Sequence, residues 1–250
     1  MARKEFDRAE DEPDSEVMDQ IDGAVADDEA VAARQDLTLG AVTGDASAAG
    51  LRLPRLQIAY GVGKLAKEYT PGDLVLGGDN LLVHKKTPLH IIILHVDSYW
   101  KEYVSNDLFQ SGVRPRVFQS LDQVRKAGGR TEWANGQGPD FSPAMDLKML
   151  IQQPEGVICG LFGIAVGDKQ YAPAVWSVDK TAYRRIAPLI LTCAKFTLAV
   201  RGVHSALFEL STDIEDVGGN NTPVPSIKMT RHLKDEEVAE IAAMFTPTHA

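Results

Sequence analysis

Apolar residues recur along this chain in two different rhythms. Short β-rich runs occupy most of the stretch from Leu53 to Val178, whereas Lys180 to Val200 and Lys234 to Phe245 repeat at helical spacing. Leu53 to Tyr60 predicts a strand that Gly61 and Gly63 break. Leu74–Leu76 and Leu81–His84 predict a hairpin around Gly77-Gly78-Asp79-Asn80. The longest β-rich run is Leu89 to Val104. Successive strand side chains point to opposite faces, so parity separates them. Ile92, Leu94, Val96, Trp100 and Val104 form an even face that reads as core throughout. The odd face starts apolar at Ile91 and Ile93, passes through His95 and Asp97, and ends as Tyr99, Lys101, Tyr103.

Downstream, 105–143 is irregular, with a short helical piece from Ser120 to Ala127. Strands are predicted at Met145–Gln153, with Met145, Leu147, Met149 and Ile151 on one face, and at Leu161–Val166 and Tyr171–Val178, joined by a turn at Gly167-Asp168. Asp179 stands at an N-cap position before the helix 180–200, which Pro188 should kink or divide. Ala206–Thr212 predicts a strand with Ala206, Phe208 and Leu210 inward, 213–223 a loop, Val224–Thr230 a last strand, and 234–245 a terminal helix. The expected fold class is mostly β with α. Five strands with one long helix between the third and fourth is the order of the OB-fold, a partly open Greek-key barrel. Residues 51–250 then form one domain, with an N-terminal β-hairpin extension over 51–87 and a long loop insertion over 105–143.

Charge divides the chain differently. The whole carries −9, but residues 1–50 hold four basic and fourteen acidic residues, while 51–208 hold 19 basic and 13 acidic. An acidic, nearly aromatic-free segment cannot bury enough surface to offset its ordering entropy, so 1–50 is expected to be a disordered tail. Beside a basic body, such a tail either solubilises, recruits partners or competes with a polyanion. In the last case its deletion should tighten binding. Two cysteines, Cys159 and Cys193, lie in apolar surroundings and make a disulfide framework or a zinc site improbable. The sequence shows no secretory signal and no run long enough to span a bilayer, which predicts a soluble intracellular protein without membrane contact.

The odd end of the long strand is the first candidate site. Tyr99, Lys101 and Tyr103 alternate at about 7 Å, a spacing at which rings can stack bases while the ammonium meets phosphate. A strand face packed under the long loop would give the same pattern. The loop is the second candidate: Arg114, Arg116, Arg125, Lys126 and Arg130 interleave with Phe118 and Trp133, as suits an unpaired strand, though four acidic residues nearly balance them. Lys148 adds a cation on the next strand. Lys180 and Arg184, four apart on one helix face, could track phosphates or simply face solvent. Asp213, Glu215 and Asp216 would repel a polyanion unless they point away.

Enzyme signals are thinner. Asp140, Asp146 and Lys148 resemble the acidic pair and lysine of a Mg²⁺-dependent nuclease, but five intervening residues are too few for the usual two-strand placement. Ser177-Val178-Asp179-Lys180 lacks the companion elements of a serine acyl-enzyme, and Gly61-Val62-Gly63-Lys64 lacks phosphate-loop spacing. No catalytic residues and no cofactor are expected.

Leu53-Pro54-Arg55-Leu56-Gln57-Ile58, Pro71-Gly72-Asp73-Leu74-Val75-Leu76 and Pro88-Leu89-His90-Ile91-Ile92-Ile93-Leu94 run into Tyr99-Trp100-Lys101-Glu102-Tyr103. Pro173-Ala174-Val175-Trp176-Ser177, the helix, and Phe208-Glu209-Leu210-Ser211-Thr212 follow. This layout resembles a family of bacteriophage single-stranded-DNA-binding, OB-fold replication or recombination proteins, over most of 51–245. The resemblance implies a non-enzymatic, non-sequence-specific binder of single-stranded DNA in the cytoplasm of an infected bacterial host. Replication or recombination proteins would be its partners through the acidic tail, and oligomerisation is compatible with it. The expected contacts are Tyr99, Tyr103 and Trp133 for stacking, and Lys101, Arg114, Arg116, Arg130 and Lys148 for phosphates. Two departures stand out. The chain has no cysteines between 105 and 143, where some relatives carry a cysteine-rich insertion, and its acidic tail is N-terminal rather than C-terminal. The competing expectations are a viral structural or host-interaction protein that self-assembles, and the nuclease.

Overall fold

The computed structural model describes residues 52–245, apart from Asn135 and Gly218. The described residues all fall within the unit Gln35–Ala250. The predicted disordered acidic tail, 1–50, lies outside them. Ten strands and four α-helices are named here in chain order. Strands β1 (Leu56–Ile58), β2 (Leu74–Leu76) and β3 (Asn80–Val83) form a three-stranded antiparallel sheet. Strands β4 (Leu89–Glu102), β5 (Val117–Phe118), β6 (Phe141–Gln152), β7 (Ile164–Val166), β8 (Lys169–Val178), β9 (Ala206–Val217) and β10 (Asn220–His232) form a seven-stranded antiparallel one. The helices are α1 (Asn106–Gln110), α2 (Leu121–Lys126), α3 (Lys180–Thr192) and α4 (Asp235–Phe245).

The large sheet runs β10-β9-β4-β6-β8-β7, with β5 added beside the far end of β4. β9 returns after α3 to lie against β4, giving the spatial order of a Greek key over β9-β4-β6-β8. The protein is thus mostly β, as its apolar rhythm predicts. The expected barrel does not close, because no ladder joins β8 to β10 among the described residues and the sheet keeps two open ends. Instead α3 packs on β10 and β6. The edge position of β10 explains how it accommodates Pro223 and Pro225, which cannot donate to a second neighbour.

A bulge in β4 corrects the parity reading. Ile93 pairs with Met149 but His95 pairs with Lys148, so Leu94 is the extra residue and the faces exchange there. Before it the odd residues Leu89, Ile91 and Ile93 enter the main core; after it the even residue Val96 does. On β6 the predicted face holds: Met145, Leu147, Met149 and Ile151 are all in that core. The small sheet is not an appendage. Leu56, Ile58, Leu74, Leu76 and Leu82 share the same core with α3 residues Ile186, Ala187 and Ile190. The small sheet is tied down by Pro54, whose carbonyl accepts from the Val175 N–H at 3.0 Å, and by a Thr212 hydroxyl that donates to the Gly72 carbonyl. The opposite face carries a second cluster, Ile92, Leu150, Tyr171, Leu207 and Leu233, capped by Ile241 of α4.

Two boundaries also differ from expectation. The acidic stretch 213–217 extends β9 rather than forming a loop, so the β9–β10 pair is a long hairpin. Pro188 does not end α3, which continues to Thr192 and then a wider π turn, Cys193–Thr197. Pro188 is solvent-exposed, so its missing N–H leaves the outward side of the helix unbonded rather than the packed side.

Candidate nucleic-acid interface

Beyond the bulge, the odd face of β4 is polar and internally paired. His95 Nε2 lies 2.8 Å from Asp97, and Lys148 Nζ reaches the other Asp97 oxygen at 3.5 Å. Tyr99 donates its hydroxyl to Asp146 at 3.0 Å. Burial, then the Asp146 charge, push the Tyr99 phenol well above its ordinary range. Lys101 bonds Asp179 at 2.8 Å, just before α3. Three of the predicted contacts therefore meet carboxylates of this chain, and the Lys148 side chain is only 12 % exposed.

The segment after β4 is ordered by local chemistry. Ser105 caps α1, and the Arg114 guanidinium stacks over Phe109 at 4.9 Å. Arg116 forms a bidentate pair with Glu102, at 2.7 Å for the shortest contact, which draws the chain back to build β5 beside Trp100 and Lys101. That pairing pulls the Glu102 carboxyl below its usual range. Ser120 and Gln123 form a capping box for α2. Gly129 then passes so close to Phe141 that a Cβ there would sit 2.6 Å from the ring.

From Arg130 the chain makes a tight excursion. Its base is a fork in which Arg130 Nε and Nη2 donate to the two Asp140 oxygens at 3.0 and 2.7 Å, while Nη1 donates to Gln137 at 2.9 Å. Hydrogen bonding from Arg130 holds Asp140 down at a pKa of about 2. Ala134 and Gln137 exchange backbone bonds near the tip, and Gly138 lies under the Trp133 indole. Tyr103 is pinned to the same base, its N–H donating to the Asp140 carbonyl at 2.7 Å.

Between this excursion and the first turn of α3 lies a cleft of about 630 Å³, lined by Tyr103, Trp133, Arg130, Lys180, Tyr183 and Arg184, among others. Tyr103 is 62 % and Trp133 73 % exposed. The Lys180 ammonium sits 5.2 Å from the Tyr103 ring centre. Three cations line the cleft against one carboxylate, Asp140. Arg130 has committed its donors to Asp140 and Gln137, whereas neither Lys180 nor Arg184 forms an ion pair with a carboxylate among the described residues. Lys180 also has φ +51, a left-handed conformation that costs a non-glycine residue roughly 1–3 kcal/mol. Asp179, the N-cap residue, makes no side-chain cap because its carboxylate is turned to Lys101.

The structure thus gathers Tyr103, Arg130 and Trp133 of the predicted contacts into one cleft. It leaves Tyr99 and Lys148 on the paired sheet face, Lys101 between the two, Arg114 over Phe109, and Arg116 paired with Glu102 over the Phe141 ring, outside the cleft lining. Lys180 and Arg184 complete the cleft. Their four-residue spacing was the available signal, but spacing alone does not separate a ligand-facing helix side from a solvated one. Of the nuclease candidates, Asp140 is gripped by Arg130, Asp146 accepts from Tyr99, and Lys148 meets Asp97. Asp213 pairs with Lys86 at 3.4 Å and Glu215 with Arg185, so the acidic part of β9 is largely neutralised locally. Among the described residues no helix is long and apolar enough to cross a membrane. Comparison with protein-family models, curated proteins and solved structures gives no match to this chain.

Proposed function

We propose that this chain binds single-stranded DNA without sequence preference, as a replication or recombination protein of a bacteriophage, and that the strand lies in the cleft between the 130–140 excursion and α3. The carrying observation is the pair of exposed rings, Tyr103 and Trp133, flanking a cleft whose Lys180 and Arg184 form no ion pair with a carboxylate among the described residues. A ring beside a cation with no carboxylate partner among the described residues offers both halves of a nucleotide a partner: stacking for the base and charge for the phosphate. The strand order supports an OB-fold-like core. β4, β6, β8, β9 and β10 follow its succession, with the loop that joins the first two strands supplying Trp133, and an opening where a closed barrel would join β8 to β10.

Fluorescence anisotropy with labelled oligo-dT, duplex DNA and RNA, titrated with salt, tests this reading. Oligo-dT should bind more tightly than duplex, with log affinity falling against log salt by about 0.7 per phosphate contacted. A stable oligomer that ignores every oligonucleotide would instead favour a self-assembling or host-docking role.

A further inference from the structure

A second cleft, of about 400 Å³, lies on the other side of the same helical turn. Arg55, Tyr60, Lys64, Trp176 and Asp179 are among its lining residues. Ala182 of α3 lines this cleft, while Lys180, Thr181 and Tyr183 line the first, so the two flank different sides of the first helical turn. We propose that both clefts form one continuous track for an unpaired polynucleotide, which crosses the start of α3 and stacks successively on Tyr60 and on Tyr103 and Trp133. The proposal rests on the reading that the chain binds single-stranded nucleic acid.

Matching composition is the argument. Each cleft has an outward ring: Tyr60 is 39 % exposed, against 62 % for Tyr103. Each has two cations without an ion-paired carboxylate among the described residues, Arg55 and Lys64 in one, Lys180 and Arg184 in the other. Each has a single lining carboxylate, and in each a basic side chain already holds it: Lys101 on Asp179, Arg130 on Asp140. A phosphate backbone therefore meets net positive charge on both sides. The Lys101–Asp179 pair stands at the crossing, with Tyr103 two residues beyond Lys101, just past the end of β4. Tyr60 feels the Asp179 charge and Tyr99 feels both Asp179 and Arg55, so Tyr99 of β4 lies within electrostatic reach of the second cleft.

The test is an oligo-dT ladder from about 4 to about 20 nucleotides, spanning the site sizes typical of one OB-fold. Affinities are compared for the wild type, Tyr60→Ala with Lys64→Ala, Tyr60→Phe, and Trp133→Ala. Affinity of the wild type should keep rising beyond the length that one cleft accommodates. The Tyr60/Lys64 variant should lose at least about tenfold on the longest oligonucleotides and almost nothing on the shortest, as expected for one lost stacking platform and one lost phosphate contact. Tyr60→Phe, which keeps both a ring and Lys64, should bind close to wild type at every length, and Trp133→Ala should weaken all lengths. If Trp133→Ala weakens binding while the Tyr60/Lys64 variant matches wild type at every length, the continuous track is overturned and the first cleft stands alone. Equal losses at every length for the Tyr60/Lys64 variant also overturn it, because Tyr60 then belongs to the primary site. If wild type binds no oligonucleotide, the binding function itself falls and the track with it.

Discussion

The outer face of β4 and β6 and the cleft beside α3 use the same residue types and differ in how their charges end up. On the sheet face, Lys148 meets Asp97, Tyr99 meets Asp146, and Arg116 beyond it meets Glu102. In the cleft, Lys180 and Arg184 pair with no carboxylate among the described residues, and the rings beside them face outward. A cation satisfied by its own fold has little left to offer a ligand, because a phosphate must first compete with the resident carboxylate. On the proposed function, polyanion binding should follow the cations left without a carboxylate partner among the described residues, not the density of basic residues.

Charge reversal at the cleft should break this contrast most sharply. Lys180→Glu with Arg184→Glu is expected to lower oligo-dT affinity roughly 100-fold at moderate salt and to flatten the log–log salt slope by about 1.4, the loss of two phosphate contacts. Anisotropy at several salt concentrations reads both, and an unchanged slope would show that these cations do not touch phosphate. Trp133→Ala comes next, with about 1–3 kcal/mol of stacking removed and little change in slope. Its indole is mostly exposed, so thermal stability should stay within about 0.5 kcal/mol of wild type.

Asp179→Asn sharpens the comparison from the other side. It keeps a good N-cap residue but releases Lys101 from its pairing, converting a spent cation into an available one. Affinity should rise several-fold and the slope steepen by about 0.7. The smallest effects belong to pairs predicted to be spent. Glu102→Gln frees Arg116, which lies over the Phe141 ring but outside the cleft lining, and should change binding less than Asp179→Asn does, while costing at most about 1 kcal/mol of stability, since the Arg116 side chain is largely exposed. The Arg130–Asp140 fork gives a pH reading. Asp140 is depressed from an ordinary 3.8 to about 2, so the stabilisation is complete above the ordinary carboxylate range and is lost as pH falls through about 2. NMR titration of the Asp140 carboxyl should show a midpoint near 2 that returns toward 3.8 in Arg130→Ala. A midpoint already near 3.8 in the wild type would mean that the fork does not hold in solution.

Much of the fold was legible because it follows from alternation. The inward face of β6, the buried Ala206, Phe208 and Leu210, and both main helices could be read from apolar spacing alone. The face exchange in β4 could not. Leu94 is as apolar as the residues before it, and only pairing with β6 decides which residue a bulge leaves out. The acidic 213–217 stretch looked like a loop because its side chains are polar. It became strand because the β10 backbone pairs with it, Asp213 has Lys86 and Glu215 has Arg185. For the site, sequence spacing nominated Tyr103, Arg130 and Trp133, but it also nominated Arg116 and Lys148, whose partners lie 14 and 51 positions away.

Alternating apolar residues and capping signals are local, so the sequence by itself determined a mostly β chain, a helix opening after Asp179, an acidic N-terminal stretch and a more basic remainder. Which cations stay available was decided only by the tertiary structure. Ion pairing joins residues distant in the chain, and the folding of β4, β6 and α3 against one another placed Asp97, Asp146 and Asp179 beside some basic or hydroxyl groups while leaving Lys180 and Arg184 without a carboxylate partner among the described residues.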